Sequence, residues 1–312
     1  MLSPLDIAAR TERAVAAAAA AGRRLGLTVN DPRVLYDVFS VIVHLRPAPV
    51  IVRVPTVLPP SYRAAPAQQT AQQQAELTVT GWLAERGHPV VAPSPLVPRK
   101  PVRLEGFSMT FWEYVEEVPD IGDPADRFEM TARLHAALRS YPGDELGFWT
   151  PFGTFIPEGL NALDRQPDLL APADLHRAQR EWATIAPLLA SPAALRSAFD
   201  GVDVQTIHGD APFHNLIPTA DGLKWSDFEL VTVGAVESDL AMAGPEGVAA
   251  YDDAAARLGL RRLDPRLLRI TETAGRLAAV AALSMAPDLP MLVDGVKPVL
   301  DMWRAEPEVD VG

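Results

Sequence analysis

Between Ile207 and Val231 the chain reads IHGDAPFHNLIPTADGLKWSDFELV, which gathers Asp210, Asn215, Asp227 and Glu229 with two histidines into one short run. Asp and Asn are hard oxygen donors, the ligand set that magnesium accepts when it shares its shell with waters and phosphates. Phosphoryl transfer needs such a metal to neutralise charge and a carboxylate to orient the attacking hydroxyl, with little covalent work for the protein. Two other readings stand beside this one. A lone loop Asp is commonly a turn or cap residue. His208 and His214 with the aspartates suggest a metal-dependent hydrolase, although a His-x-Asp run lacks the helix-borne ligand spacing of zinc hydrolases.

For these side chains to meet, the chain must fold back on itself. Gln205 to Ile207 reads as a strand end, HGDAPFHN as a loop, Leu216 to Pro218 as a strand, TADG as a turn and Leu223 to Ser226 as the returning strand. Such a hairpin brings the loop before it close to the loop after it, so that Asp210, Asn215 and Asp227 face one another. Upstream, Ser3-Pro4 starts a helix of about 25 residues, dominated by alanine. The β-branched runs Val34 to Leu45 and Pro49 to Pro55 read as two strands joined by a short turn. A glutamine-rich helix is expected over Ala67 to Gly87, and strand character resumes over Arg103 to Glu117 with a turn at Glu105-Gly106. From Ala125 onward the spacing predicts helices over about 125–140, 160–170, 173–198, 235–258, 264–285 and 289–304. The plan is α+β, with a small β-rich lobe over residues 1–115 and a larger, mostly helical lobe over 116–312.

The 312 residues, 48% hydrophobic and 22% charged, can bury a sizeable core. A net charge of -12 argues against nucleic acid as a partner, because phosphate-backbone binding needs clustered Lys and Arg. With no cysteine, thiolate metal sites and disulfides are excluded. The alanine run Ala14 to Ala21 is preceded by Asp6, Arg10, Glu12 and Arg13 and followed by Arg23 and Arg24, which reads as an amphipathic helix and not a secretion signal. No apolar run approaches the ~20 residues of a membrane span, so a cytoplasmic protein without a membrane partner is expected.

His208-Gly209-Asp210 followed by Asn215 resembles the H-G-D-x-x-x-x-N loop of the aminoglycoside phosphotransferase and choline kinase family, relatives of the protein kinases. SDFE, with Asp227, is similar to that family's metal-binding I-D-[WF]-E segment. The resemblance implies a bilobal protein-kinase-like fold and transfer of a phosphoryl group from ATP or GTP, with Mg2+, to a substrate hydroxyl. It implies Asp210 as catalytic base, Asn215 and Asp227 as magnesium ligands, His208 as support behind the loop, and Asp239 as the acid that holds the loop through its backbone. Glu229 reads either as a second-metal ligand or as a structural acid.

The same resemblance asks the N-terminal lobe for a cation. The first 99 residues contain no lysine. Arg53 in PVIVRVP stands where the family has a strand lysine, with Glu76 on the following helix as its partner. Glu113, Tyr114 and Val115 stand where hinge backbone groups read the adenine edge. The phosphate-covering turn falls near Tyr36 to Val41, without glycine, and Ser40 is its candidate phosphate donor.

The expected partner is a small hydroxylated molecule, with cationic character suggested by Glu116, Glu117, Asp120 and Asp123 and by the tail acids Glu306, Glu308 and Asp310. The aromatic loop Gly147 to Phe155 reads either as a sugar platform or lid, or as packing. The chain is expected to act as a monomer or homodimer. The glycine-free turn and the arginine in place of lysine leave one alternative, a nucleotide-binding, catalytically weak, pseudokinase-like regulator.

Overall fold

The computed structural model describes residues 1–120, 122–212 and 214–309. The chain divides into two compact units, each with its own core. The first comprises Met1–Pro119, Ile217–Glu229 and Pro287–Pro290, and the second Asp120–Leu216, Leu230–Ala286 and Met291–Gly312.

In the first unit, α1 (Pro4–Arg24) begins in a capping box between Ser3 and Asp6. It precedes β1 (Val29–Asp37), β2 (Ser40–Pro47), β3 (Val50–Pro55), the short α2 (Pro60–Ala64), α3 (Pro66–Glu85), β4 (Val102–Leu104) and β5 (Phe107–Glu113). The five strands form one antiparallel sheet in the order β1-β2-β3-β5-β4. Side chains alternate across a strand, and the sheet uses both faces. Val41, Val43, Leu45, Val50, Val52, Val54, Met109 and Phe111 pack with Ala14, Ala17, Ala18 and Ala21 of α1. Ile51 and Trp112 point the other way, to Leu77 of α3 and Val91. Small alanines let α1 lie close to its sheet face.

The run from Val34 to Leu45, which its composition reads as one strand, is two, broken at Val38-Phe39 within the Tyr36 to Val41 stretch where the resemblance puts a turn. No Gly, Pro, Asn or Asp occupies that turn, so composition gave no sign of it.

The hairpin of β7 (Leu216–Thr219) and β8 (Gly222–Trp225) joins this first unit through main-chain bonds. The Val91 N–H donates to the Trp225 carbonyl at 2.7 Å, the Trp225 N–H to Pro89 at 2.8 Å, and the Val118 N–H to Pro218 at 2.9 Å.

The second unit contains α4 (Pro124–Leu138), α5 (Phe152–Leu163), α6 (Pro172–Ile185), α7 (Pro192–Ala198), β6 (Val204–Ile207), β9 (Thr232–Ala235), α8 (Gly244–Arg257), α9 (Pro265–Ala282) and α10 (Leu292–Ala305). Strands β6 and β9 pair antiparallel, α4 packs on α8, and α5 on α9. A core of Phe128, Ala132, Ile207, Leu240, Tyr251 and Leu268 locks α4, β6 and α8 together. Among the described residues no helix is long and apolar enough to cross a membrane.

Several helix bounds differ from expectation. The helix expected at 160–170 runs instead from Phe152 to Leu163 and contains Pro157. The 173–198 stretch is two helices, because Ser191 caps a new start ahead of Pro192. The 235–258 stretch opens with β9 and a 3-10 turn before α8 starts at Gly244.

The tail acids are not free charges. Glu306 pairs with Arg276 at 2.5 Å and Glu308 with Arg180 at 2.5 Å, while Asp310 lies outside the described residues.

Candidate active site

The period of two in β3 decides where Arg53 goes. Val52 and Val54 belong to the α1 face, so Arg53 between them points to the opposite face, between Ile42 of β2 and Thr110 of β5. There its Nη2 donates to Glu76 and its Nη1 to Glu229, with Asp227 3.1 Å from Nη1. Arg53 and Glu76 are 5% and 1% exposed.

Helix α3 supplies Glu76 from a buried polar stripe, Gln69, Gln73, Glu76 and Thr80, which recurs at helical spacing. Gln73 anchors it by donating to the Ser108 carbonyl at 3.1 Å and accepting from the Ser108 hydroxyl at 2.5 Å. Gln72 donates to the Glu229 carbonyl at 2.8 Å, which ties the segment after β8 to the same helix. Asp227 takes a left-handed backbone, φ 56°, at a cost of roughly 1–2 kcal/mol for a residue with a Cβ.

Three carboxylates around one guanidinium leave this group short of positive charge. Burial, reinforced by Asp227 and Glu229, pushes the Glu76 carboxyl up to about 8 against the pull of Arg53. Burial and then the Asp227 charge raise Glu229 as well. Burial opposes the Arg53 charge, but the carboxylates outweigh it and hold the guanidinium protonated beyond its ordinary range. Three buried atoms here, Arg53 Nε, Glu76 Oε1 and Asp227 Oδ1, have no hydrogen-bond partner. A surplus of hard oxygen donors is the chemistry that suits a divalent cation. Among the described residues, no three His, Asp or Glu side chains form a metal cage by themselves.

In the second unit, β6 leads directly into His208, Gly209 and Asp210. The turn is built on Asp239, which is buried. Its Oδ2 accepts the His208 N–H at 2.9 Å and its Oδ1 the Gly209 N–H at 2.7 Å. His135 Nε2 lies 2.9 Å from Asp239 Oδ2, and its Nδ1 lies 2.8 Å from the Tyr251 hydroxyl. A carboxylate only accepts, so His135 donates from Nε2. Tyr251 is held protonated by burial and then by Glu237 and Asp239, so it donates to Nδ1. Burial alone works against the Asp239 charge, but His135, His208 and the Gly209 N–H together keep it below the usual carboxylate range.

Gly209 has φ +90°, and a Cβ there would overlap the Leu230 carbonyl. Only glycine fits. The next residue, Asp210, is exposed, and Asn215 is 8% exposed. Asn215 Nδ2 donates to the Asp210 carbonyl at 2.6 Å and to its Oδ2 at 3.0 Å. His208, fully buried, accepts the Asp210 N–H at Nδ1, 3.3 Å away.

Arg53, Glu76 and Asp227 thus belong to the first unit, with Glu229, while His208, Asp210, Asn215 and Asp239 belong to the second. Ser40 opens β2 opposite Pro55. The Glu113 N–H is already spent on Ala92 at 2.9 Å and the Tyr114 N–H on Pro49 at 3.0 Å. The Tyr114 ring stacks on His44, centroids 4.0 Å apart. Val115 packs with Leu77 and Trp112. Trp149, from the aromatic loop, is 5% exposed and stacks on Trp182 at 6.0 Å and on Phe152 at 5.6 Å, so this ring is packing.

The expected acidic mouth is largely consumed by local partners. Asp120 pairs with Arg127 at 2.5 Å, Asp123 caps α4, and Glu117 accepts from Tyr36 at 2.8 Å. His135 was missed entirely, because nothing near it in sequence marks a histidine whose partner is 104 positions away. The stripe of α3 was visible as i, i+4, i+7 spacing, but in polar residues that a search for apolar periodicity passes over.

A family model described as the phosphotransferase enzyme family matches residues 24–272. None of the curated proteins matches the sequence significantly. Among solved structures, the choline kinase LicA from Streptococcus pneumoniae is similar with a TM-score of 0.60 at 14% identity, over 91% of this chain and 98% of that one. An aminoglycoside phosphotransferase, APH(3'')-Id from Streptomyces rimosus in complex with ADP and streptomycin, gives 0.56 at 18%, over 84% and 97%. The GDP complex of wild-type aminoglycoside 2'-phosphotransferase-IIIa gives 0.58 at 15%, over 91% and 96%. At these identities the likeness concerns the fold, which is α+β and protein-kinase-like.

Proposed function

The chain belongs to the phosphotransferase enzyme family, and on that premise we propose that it transfers the γ-phosphoryl group of a nucleoside triphosphate, ATP in the first place, to a hydroxyl of a small molecule. The observation that carries this reading is Asp210, an exposed carboxylate on a turn fixed from below by Asp239 and steadied by the Asn215 amide. A base must be accessible, and it must also be held still.

In this reading the bound magnesium nucleotide supplies the phosphoryl group and the charge that neutralises its oxygens. Asp210 orients the acceptor hydroxyl and takes its proton as the new O–P bond forms and the bond to the nucleoside diphosphate breaks. The proton then passes to solvent. Asn215 and Asp227 are the metal ligands, and the unneutralised acids around Arg53 support that assignment. Arg53 is the phosphate-side cation, oriented by Glu76; a guanidinium fork can serve a carboxylate and a phosphate oxygen at once. Val115 is the hinge residue whose N–H we assign to the base edge, since those of Glu113 and Tyr114 are spent on Ala92 and Pro49. Dependence on a nucleoside triphosphate accords with a cytoplasmic location.

The acceptor is a small hydroxylated molecule. A cationic acceptor has less support, because most of the acids that suggested it are paired. One observation favours a second reading: both terminal nitrogens of Arg53 are engaged by carboxylates, which suits a nucleotide-binding regulator with weak turnover. Incubation with magnesium-ATP and a panel of amino alcohols, aminoglycosides and sugars separates the two. Stoichiometric nucleoside diphosphate that depends on one acceptor supports the kinase; bound nucleotide with no acceptor-dependent turnover supports the regulator.

A further inference from the structure

The sheet ends in a turn, Val38-Phe39, that lacks glycine, yet it lies beside Arg53: Ile42, opposite Arg53, is two residues beyond Ser40. Glycine-rich loops approach phosphates closely because their backbone is free of Cβ hindrance. A turn without glycine must instead be held in place by other contacts. The structure provides them from two sides. The Phe39 carbonyl accepts the N–H groups of Thr56 and Val57, each at 3.0 Å. Asp37, the last residue of β1, sits opposite Val41 and therefore on the α1 face of the sheet. Its Oδ1 accepts from Arg10 Nη2 at 3.2 Å, and its Oδ2 accepts the Thr11 hydroxyl.

Arg10 is 7% exposed, and its other terminal nitrogen donates to the Asp288 carbonyl at 2.9 Å. The Asp288 carboxylate pairs with Arg63 at 2.7 Å. Arg10 and Thr11 lie outside the stretch that matches the family model, as does Asp288. The α1 side of the pin is therefore made by parts of this chain that the family match does not include. Asp37 is held on the α1 face, whereas Ser40 and Arg53 lie on the opposite face.

We propose that α1 is a positioning element for nucleotide binding: Arg10 and Thr11, through Asp37, hold the β1–β2 turn in the form that covers the phosphates, a role that glycine-rich loops fill by flexibility. This rests on the reading of the chain as a nucleotide-dependent kinase. Arg10, Thr11 and Asp37 are positioning residues and touch neither nucleotide nor acceptor. Preorganised contacts of this kind act on affinity more than on the chemical step.

The test uses the full chain with Thr11→Val, Thr11→Ser, Arg10→Met and Arg63→Met. Nucleotide affinity is measured by calorimetry, and KM and kcat by turnover with the best acceptor. Hydrogen exchange is followed at the amides of Asp37 to Val41 without nucleotide. Thr11→Val and Arg10→Met should weaken nucleotide binding about tenfold, the loss of one charge-assisted bond. They should raise the nucleotide KM in parallel and speed exchange in the turn, while kcat and the acceptor KM stay near the wild-type values. Thr11→Ser should restore wild-type affinity, and Arg63→Met should leave it unchanged. If Arg10→Met does not fold, the valine and serine pair at Thr11 decides. An active wild type whose nucleotide affinity is unmoved by Thr11→Val and Arg10→Met overturns the inference and leaves the kinase reading intact. A wild type that binds no nucleotide overturns both.

Discussion

His135 Nε2 lies 2.9 Å from Asp239 Oδ2, both side chains being shut off from solvent. This contact joins α4 to the acid that carries the backbone of His208 and Gly209, so hydrogen bonds connect the second unit's helical core to the turn that bears Asp210. Replacing Asp239 with Asn puts an amide where three donors converge and leaves one of them unpaired. Asp239→Asn should cost about 2–3 kcal/mol of stability, read as a lower urea midpoint.

The same pair gives a pH dependence with a definite sign. Asp239 is held below the usual carboxylate range in the folded protein, so its charge contributes stability that is complete above the unfolded-state value, about 4. That contribution is lost as pH falls from there through the folded value. The stability gap between wild type and Asp239→Asn, measured by urea titration, should be constant from pH 7 to about 5 and shrink below about 4. A gap that widens on acidification would contradict the assignment.

Arg53 contacts three acids at once, so removing it alone should be more harmful than removing Arg53 and Glu76 together. Arg53→Met leaves Glu76 buried without a counter-charge and should destabilise by about 3–5 kcal/mol. The double variant Arg53→Met/Glu76→Leu should recover a large part of that loss in thermal melting, a non-additivity expected only of residues in contact. Arg53→Lys should fold but bind nucleotide less well, because a point charge cannot span Glu76 and Asp227 as the planar fork does.

Gly209→Ala isolates the geometry of the loop from its chemistry. The added methyl meets the Leu230 carbonyl at a left-handed backbone position, which stores about 1–3 kcal/mol of strain or displaces Asp210. Turnover should fall by at least about tenfold, with nucleotide affinity retained in calorimetry.

How far sequence reasoning reached depended on whether a signal was local. The β-branched run Val50 to Pro55 was readable as a strand and the resemblance pointed to Arg53 on it, while the neighbouring helix with Glu76 was readable from its Gly87 stop. The β1–β2 turn was harder, because tertiary pins at Asp37 and Phe39 replace turn residues there. The attachment of the β7–β8 hairpin to the first unit was invisible, since it runs through main-chain bonds of Pro89, Val91 and Val118 that any side chain would allow. The tail acids looked like a field for cations only because their arginine partners, Arg180 and Arg276, lie far away in sequence.

The central claim is that Asp210 is the base of a phosphotransfer reaction. It is tested most directly by acceptor-dependent formation of nucleoside diphosphate from magnesium-ATP by the wild type and Asp210→Asn, with nucleotide affinity measured on both. The account predicts that the variant binds nucleotide as the wild type does while kcat falls by about 10²–10⁴. Equal turnover by the two proteins, on an acceptor that the wild type phosphorylates, would contradict it.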